Sequence, residues 1–484
     1  MVLNYPAILY IIGWVLGAFG LAMALPALLS LVHGDPDWLA FAASSMLTFF
    51  IGVNFVLMNR HRSQALSHRD GFLLTLLLWV ILSLLGALPF YFSGVTDSFI
   101  DAVFETMSGL TTTGATVLSG LDTLGKGVLF WRAMLQWLGG MGIVVLAIAV
   151  LPFLGVGGMQ LYKSEMPGVV KDKLQPRLKE TAKLLWTVYM FLTLLCALLY
   201  NAAGMNGFDA ICHAFSTISS GGFSTKDASI HYFDSPLIEL ICIVFMILGG
   251  TNFALHYLFL SRRSLNVYRR DNEFMMYIII LGGGAVILSL ILWFAHDYAP
   301  AQAVRYGLFN VATILTTTGF AAGDYASWYT LAPIMLLMMM LVGGCSGSTA
   351  GGLKVLRVVI LGRQGLREIY QLIHPRGISH VKVGNRAVPE RVIQSVWSFA
   401  GLYIIAFNVI ALLVAAFGVD LVTSFSAAAA TITSVGPGLG SVGPTGNYAS
   451  LPAAVKVILT FSMLLGRLEV FTVLVVLSPA FWRR

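Results

Sequence analysis

Ten apolar runs, each long enough to cross a bilayer, constrain this chain more than any other feature. They lie at about 5–30, 39–58, 72–93, 127–152, 183–203, 235–260, 274–296, 331–361, 392–416 and 452–478. A transmembrane helix needs roughly 20 such residues. Lipid offers no partner to backbone N–H and C=O groups, so spanning segments of this length must be helical. The composition agrees: 58% of the 484 residues are hydrophobic and 11% charged, against about 45–50% and about 25% in soluble domains. The expectation is one all-α integral membrane protein.

The net charge of +7 does not point to nucleic acid, because the basic residues sit in short clusters between apolar runs. They follow the even-numbered runs, at 60–69, 163–179, 262–270, 363–391 and 483–484. The alternate connections are acidic or neutral, with Asp35, Asp97, Asp101, Asp209, Asp297 and Asp420 among them. Lys and Arg accumulate in cytoplasmic loops, so both termini are expected in the cytoplasm. Ala22-Met23-Ala24 resembles a signal-peptidase site, but the run before it lacks a positive n-region and is read as a retained helix. Cys196, Cys212, Cys242 and Cys345 lie in or beside apolar runs without metal-type spacing, which excludes a disulfide framework and a zinc site.

The connections after the third, fifth, seventh and ninth runs resemble one another. They align on Gly114, Gly222, Gly319 and Gly436, preceded by Thr112-Thr113, Ser220-Gly221, Thr317-Thr318 and Ser434-Val435. Asp101 and Asp209 stand 13 residues before their glycines, and Gly139, Gly249, Gly343 and Gly466 follow 24 to 30 residues after. The expected architecture is four parallel helix–pore loop–helix repeats around a central pore, preceded by two extra transmembrane helices. The boundaries fall at 1–71 for the extra helices and at 72–182, 183–273, 274–391 and 392–484 for repeats 1 to 4.

The stretch before each glycine, about 12 residues, would rise about 18 Å as a helix, roughly half a bilayer. A helix C-terminus carries about half a negative charge, so four converging ends favour a cation. The chain must then return as extended backbone, tolerable at that depth only inside protein or along a watery cavity. Glycine takes the φ values that turn carbonyls inward, and rings of carbonyls replace an ion's hydration shell in potassium filters. Packing glycines are the bland alternative. Four copies in register argue against it.

The segments TTTGAT (111–116), SSGGFST (219–225), TTTGF (316–320) and SVGPGLG (434–440) resemble the four filter segments of the Trk/Ktr/HKT superfamily of cation transporters. QWLGGMGI (136–143), LPFLGVGGMQLY (151–162), GGCSGSTAGGLKV (343–355) and GRLEVFT (466–472) extend the resemblance to TrkH-type membrane subunits across essentially the whole chain. The resemblance implies K⁺ permeation in a bacterial cytoplasmic membrane, a homodimer with one pore per protomer, and a cytoplasmic nucleotide-binding regulatory subunit of the TrkA type. It assigns K⁺ binding to the twelve residues aligned above, and Gly114, rather than serine, goes with K⁺ over Na⁺. No cofactor is implied in this chain beyond K⁺ as the transported ligand.

Two irregularities remain. The eighth run is interrupted by Gly343-Gly344-Cys345-Ser346-Gly347-Ser348-Thr349-Ala350-Gly351-Gly352, and glycine costs about 1 kcal/mol relative to alanine in a helix. A phosphate loop would need Gly-Lys-Ser/Thr in sequence. Here Leu353 precedes Lys354 and no hydroxyl follows. The resemblance implies instead an intramembrane gating loop beneath the filter. The tenth run carries Arg467 and Glu469 near its middle, where a charge costs about 2.5–3.5 kcal/mol. Residues two apart face apart on a helix, so Arg467 is expected to face the pore below the filter, the alternative being a structural ion pair. Coupled K⁺/Na⁺ or K⁺/H⁺ symport competes with a channel-like pore; parallel repeats and the absence of midplane carboxylates argue against it. An enzyme would need convergent titratable groups, and His213, His256 and His296 show neither HExxH nor paired-carboxylate spacing.

Overall fold

The computed structural model describes residues 3–60, 66–149, 174–296, 298–377, 379–384 and 386–483. The 151–162 run, and the basic segment that continues from it to residue 173, lie outside the described residues.

Two helices, Tyr5–His33 and Trp38–Asn59, precede the repeats and pack along each other. Small residues let their backbones touch: a Cβ on Gly52 would stand 2.6 Å from the backbone nitrogen of Gly17. Four units of similar construction follow. Each opens with a long helix: His68–Gly86, Leu174–Ala202, Asn272–Ala295 and Glu390–Ala416. Each continues into a short helix: Phe99–Leu110, Gly207–Ile218, Pro300–Leu315 and Leu421–Ile432. Three of these have 12 residues and the third 16. Side chains of Ser98, Asn206 and Asp420 accept the N–H of the third helical residue and so fix three of the starts. The third start has Pro300 at its first position instead. The Thr423 N–H also holds the Asp420 carboxyl below the usual carboxylate range.

The closing helices of the repeats depart from ten continuous runs. Lys126–Ala149 is unbroken in repeat 1. Repeat 2 bends by 98° between Pro236–Gly249 and Phe253–Arg262, and repeat 4 by 114° between Ala453–Arg467 and Glu469–Leu477. Repeat 3 runs from Leu331–Val342 into non-helical backbone and resumes at Val355–Ile373. Six described helices are individually long and apolar enough to span a membrane. Each bend is held by identifiable groups. The Asn252 side chain caps the restarted helix by accepting the Ala254 N–H at 3.0 Å. Glu469 takes a left-handed φ of 57°, and its carboxylate pairs with Arg357 at 2.8 Å. Arg467 therefore sits in the last turn of a helix rather than mid-span, where the C-terminal dipole favours a cation.

Each short helix packs against the closing helix of the preceding repeat. Asp101 pairs with Lys456 at 2.5 Å, Phe215 stacks on Trp137 at 4.9 Å, and Arg305 binds Glu239 at 2.7 and 2.8 Å. Leu421–Ile432 packs on Leu331–Val342. Followed round, these contacts close a ring of four. A small hairpin, Lys382–Val383 with Arg386–Ala387, precedes repeat 4.

Candidate cation filter and the loop beneath it

The four short helices end alike. Thr111, Ser219, Thr316 and Thr433 close the last turn, and their hydroxyls donate to backbone carbonyls within that turn at 2.7, 3.2, 2.8 and 2.7 Å. The next residues, Thr112, Ser220, Thr317 and Ser434, all turn left-handed, with φ of 53°, 54°, 55° and 58°. Non-glycine residues hold such angles at a cost of about 1–3 kcal/mol. The cost is offset when the following N–H reaches back into the helix: Thr113 to Ser108, Gly221 to Ser216, Thr318 to Thr313 and Val435 to Ala430, at 2.8–2.9 Å. Gly114, Gly222, Gly319 and Gly436 come next, with φ of 82°, 80°, 78° and 94°. All twelve residues singled out by the sequence take corresponding positions in this turn.

Backbone angle is not the only reason for these glycines. A Cβ on Gly114 would overlap the carbonyl oxygen of Gly221. One on Gly222 would overlap that of Thr318, one on Gly319 that of Val435, and one on Gly436 would meet that of Thr113. Each repeat thus lies edge to edge with the next, and the fourth closes on the first. Buried carbonyls are nearly always hydrogen-bonded. Yet those of Thr113, Gly114, Gly222, Thr318, Gly319 and Val435 accept no hydrogen bond within the described residues. Partly desolvated oxygens of this kind are fitted to a bare monovalent cation. The hydroxyls of Thr112 and Ser434 are likewise buried without partners among the described residues.

Sequence reasoning missed the side chains behind the turns. Glu105, 0% exposed, accepts from Arg132 Nε at 2.7 Å, from Thr116 Oγ1 at 3.0 Å and from the Val117 N–H at 3.0 Å. Arg132 continues to the Ser224 carbonyl at 2.9 Å and stacks on Phe223 at 4.2 Å, so one buried pair braces the return segments of repeats 1 and 2. Gln136 donates to the Gly221 carbonyl at 2.6 Å and accepts the Phe223 N–H at 3.0 Å. It lies within the 136–143 run, though nothing in its pattern marked the role. His213 is buried between the Asp209 carbonyl and the Ser224 hydroxyl. The buried Glu105 corrects the premise that the membrane interior lacks carboxylates. Arg132 neutralises it, and an ion-paired carboxylate held by further donors is a brace rather than a free proton or Na⁺ site. His256 bonds Tyr268 and the Leu248 carbonyl, and His296 the Tyr329 N–H.

Gly139 and Gly466 sit directly beneath the carbonyls of Leu110 and Ile432, and a Cβ on Gly249 would stand 3.0 Å from that of Ile218. These three let the closing helix approach the end of a short helix. Gly343 does not. Its left-handed φ of 76° starts the interruption, and the space beside it is filled by Gly351 and Gly352.

The 343–352 loop crosses under the filter turns. Cys345 and Thr349 donate their N–H groups to Gly250 and Gly249, and Gly352 to Thr433. Gly351 N–H reaches the Thr317 hydroxyl at 2.6 Å, and the Thr349 hydroxyl lies 2.9 Å from that of Ser220. The loop therefore touches repeats 2, 3 and 4. Arg467, 4% exposed, donates Nη1 to the Thr349 carbonyl at 2.8 Å and Nη2 to the Gly139 carbonyl of repeat 1 at 3.4 Å. No carboxylate binds it among the described residues, whereas Glu469 is paired with Arg357. Glu273 accepts the N–H groups of Ser346 at 2.6 Å and Leu356 at 3.3 Å, one near each end of the loop. The Lys354 ammonium donates to the Ala350 carbonyl.

Residues 39–484 match the TrkH family, described as cation transport proteins. Along nearly their whole lengths the chain is 48% identical to two proteins named Trk system potassium uptake protein TrkH. One is from Halomonas elongata, with 99% of each chain covered. The other is from Escherichia coli K12, with 99% of this chain and 100% of the relative covered. The crystal structure of the potassium transporter TrkH from Vibrio parahaemolyticus superposes with a TM-score of 0.92 at 42% identity, covering 99% of this chain and 100% of that one.

Proposed function

The chain belongs to the TrkH family of cation transport proteins, and on that premise we propose that it takes up K⁺ through the four-repeat filter, gated by the loop below. The observation that carries this reading is the closed ring of left-handed turns with its uncommitted carbonyls. Thr112, Thr113 and Gly114 bind the ion together with Ser220, Gly221, Gly222, Thr317, Thr318, Gly319, Ser434, Val435 and Gly436. A K⁺ entering from outside exchanges water for these oxygens. The helix C-termini behind them supply negative potential.

Residues 343–352 form a steric plug, and Arg467 an electrostatic barrier at the same level. At an effective dielectric near 20, a unit charge about 6 Å from K⁺ repels it by about 3 kcal/mol, enough to limit flux without abolishing it. The Arg467–Thr349 bond supports a joint action, since displacing the loop also frees the guanidinium.

The chain is a transporter without a catalytic centre or resident cofactor, in a bacterial cytoplasmic membrane with both termini inside. Its repeats, bounded in the sequence at 72, 183, 274 and 392, open with the helices that begin earlier, at His68, Leu174, Asn272 and Glu390. It works as a homodimer, for which the exposed Leu366, Ile369, Leu372 and Ile373 offer a surface outside the spans. A cytoplasmic nucleotide-binding subunit of the TrkA type docks on the basic segments at 154–183 and 363–391. Charge reversal at Lys171, Lys173, Arg376 and Lys382 is expected to abolish that docking in a pull-down; retained binding would remove the assignment.

Flux from purified protein in liposomes, compared for K⁺, Rb⁺ and Na⁺, tests the function. K⁺ and Rb⁺ are expected to pass in preference to Na⁺ with no Na⁺ or proton gradient. A strict requirement for either gradient would establish coupled symport instead.

A further inference from the structure

The filter turns of the first three repeats are braced by groups that leave the carbonyls of Gly114, Gly222 and Gly319 alone, although Gln136 holds that of Gly221. Repeat 1 uses Glu105 on Thr116 and Val117, repeat 2 uses Gln136 on Phe223 and His213 on Ser224, and repeat 3 uses Ser229 on the Ala321 N–H. Repeat 4 has poorer material. Its return segment, Gly436-Pro437-Gly438-Leu439-Gly440, has one residue without an N–H and three without side chains, and its other supports, the Gly438 N–H on Val442 and the Ser426 hydroxyl on the N–H and carbonyl of Leu439, act two and three residues beyond the Gly436 carbonyl. It also lies at the one seam where the ring closes without chain continuity, between the last repeat and the first.

Tyr448 occupies that seam. It is 2% exposed, its hydroxyl donates to the Gly436 carbonyl at 2.7 Å, and its own N–H donates to the Thr116 carbonyl of repeat 1 at 2.9 Å. Its ring packs on Phe104, centroids 5.3 Å apart. Tyr325, also buried, places its hydroxyl 3.4 and 3.3 Å from the next two carbonyls, Pro437 and Gly438. Among the four filter glycines, Gly436 is thus the one whose carbonyl is held by a protein donor within the described residues.

We propose that Tyr448 is a positioning residue of the filter: its hydroxyl fixes the direction of the Gly436 carbonyl, tying repeat 4 to repeat 1, and thereby sets the discrimination between K⁺ and Na⁺. The proposal rests on the reading of the ring as the K⁺ filter. Pro437 limits the swing of the Gly436 carbonyl through its fixed φ, and the Tyr448 hydroxyl selects the direction left open to it. A freed carbonyl follows a smaller ion inward, and the ring then loses part of its preference for the larger one. Tyr325 steadies the same strand through weaker, longer bonds, so its share is smaller.

Tyr448→Phe removes the hydroxyl and keeps the ring on Phe104. The K⁺/Na⁺ flux ratio in liposomes is expected to fall about fivefold, the worth of one ordinary hydrogen bond, while the melting temperature in detergent stays near that of the parent. Tyr325→Phe should lower the ratio less. A Tyr448→Phe ratio equal to the parent's, in a preparation where Gly114→Ser does lower it, overturns the proposal and leaves the filter reading standing. A parental ratio in Gly114→Ser as well means that the filter reading fails and takes the proposal with it. Should Tyr448→Phe not assemble, Tyr325→Phe decides alone: a lowered ratio supports the hydroxyl bracing of repeat 4, and a parental ratio overturns it.

Discussion

The filter turns and the loop beneath them are both non-helical backbone at membrane depth, and they meet their hydrogen-bonding needs in opposite ways. Each filter turn bonds mainly into the helix it terminates, three to six residues back. It is local structure made four times. The loop has one copy and depends on distant groups: Gly249 and Gly250 of repeat 2, Glu273, Thr317, Thr433 and Arg467. A locally bonded turn cannot open without unwinding its helix. A loop held by borrowed partners can be displaced by breaking a few bonds while every helix stays folded. The difference assigns selectivity to one element and the amount of flux to the other, and each variant below is read by which quantity moves.

The largest effects are expected at the filter glycines. Gly222→Ala and Gly319→Ala put a Cβ onto the Thr318 and Val435 carbonyls at φ near 80°, so the ring cannot close as built. Strain of about 1–3 kcal/mol per site should lower the K⁺/Na⁺ ratio about tenfold or more in liposome flux. Gly114→Ser meets the Gly221 carbonyl in the same way. Gly343→Ala has a comparable φ but faces the loop, and should alter flux at an unchanged ratio. A changed ratio there would break the comparison.

Next come variants of the closure itself. Removing residues 345–350 should raise the flux of K⁺ and of any cation small enough to pass. Arg467→Ala should raise K⁺ flux about tenfold at low salt, part of the roughly 3 kcal/mol barrier, and less at high salt where screening already weakens it. Arg467→Lys keeps the charge and should change flux least. Lower flux after loop removal, or parental flux for Arg467→Ala at low salt, would return Arg467 to a structural role.

What could be read from the sequence follows the same division. The filter was legible because it repeats: four glycines in register point to the turns, the short helices and all twelve candidate residues. The glycine-rich interruption was legible as a break in helix propensity. The bends at 250–252 and at Leu468 were not, since the few polar residues there do not by themselves mark a break and the broken ends are held by partners far along the chain, Gly347 for Phe253 and Arg357 for Glu469. Glu105, Gln136 and Tyr448 stayed hidden for a related reason. Each occurs at one place only, and Gln136 and Tyr448 act across a repeat boundary, so no internal alignment could raise them above their neighbours. Gly343 shows the converse risk: its spacing matched Gly139, Gly249 and Gly466, yet it serves the loop.

The smallest expected effect gives the sharpest test, because it loosens the loop without touching the filter. Glu273 begins the first long helix of repeat 3 and accepts the N–H groups of both Ser346 and Leu356 through one oxygen, clamping the two ends of the interruption. Glu273→Gln leaves an amide oxygen able to take the same place and removes only the charge. A charge-assisted hydrogen bond is about twice as strong as a neutral one, so each bond weakens and neither disappears. Flux should rise about two- to fivefold, in keeping with a loss near that of one ordinary hydrogen bond, with the K⁺/Na⁺ ratio unmoved. Glu273→Ala, which leaves both N–H groups without their acceptor, should raise it further. Parental flux in both variants would mean that the loop is held by its contacts to Gly249, Gly250 and Thr433 alone. A shifted ratio in Glu273→Gln would show strain passing from loop to filter through Thr317 and Gly351, and the two elements could no longer be treated as separate devices.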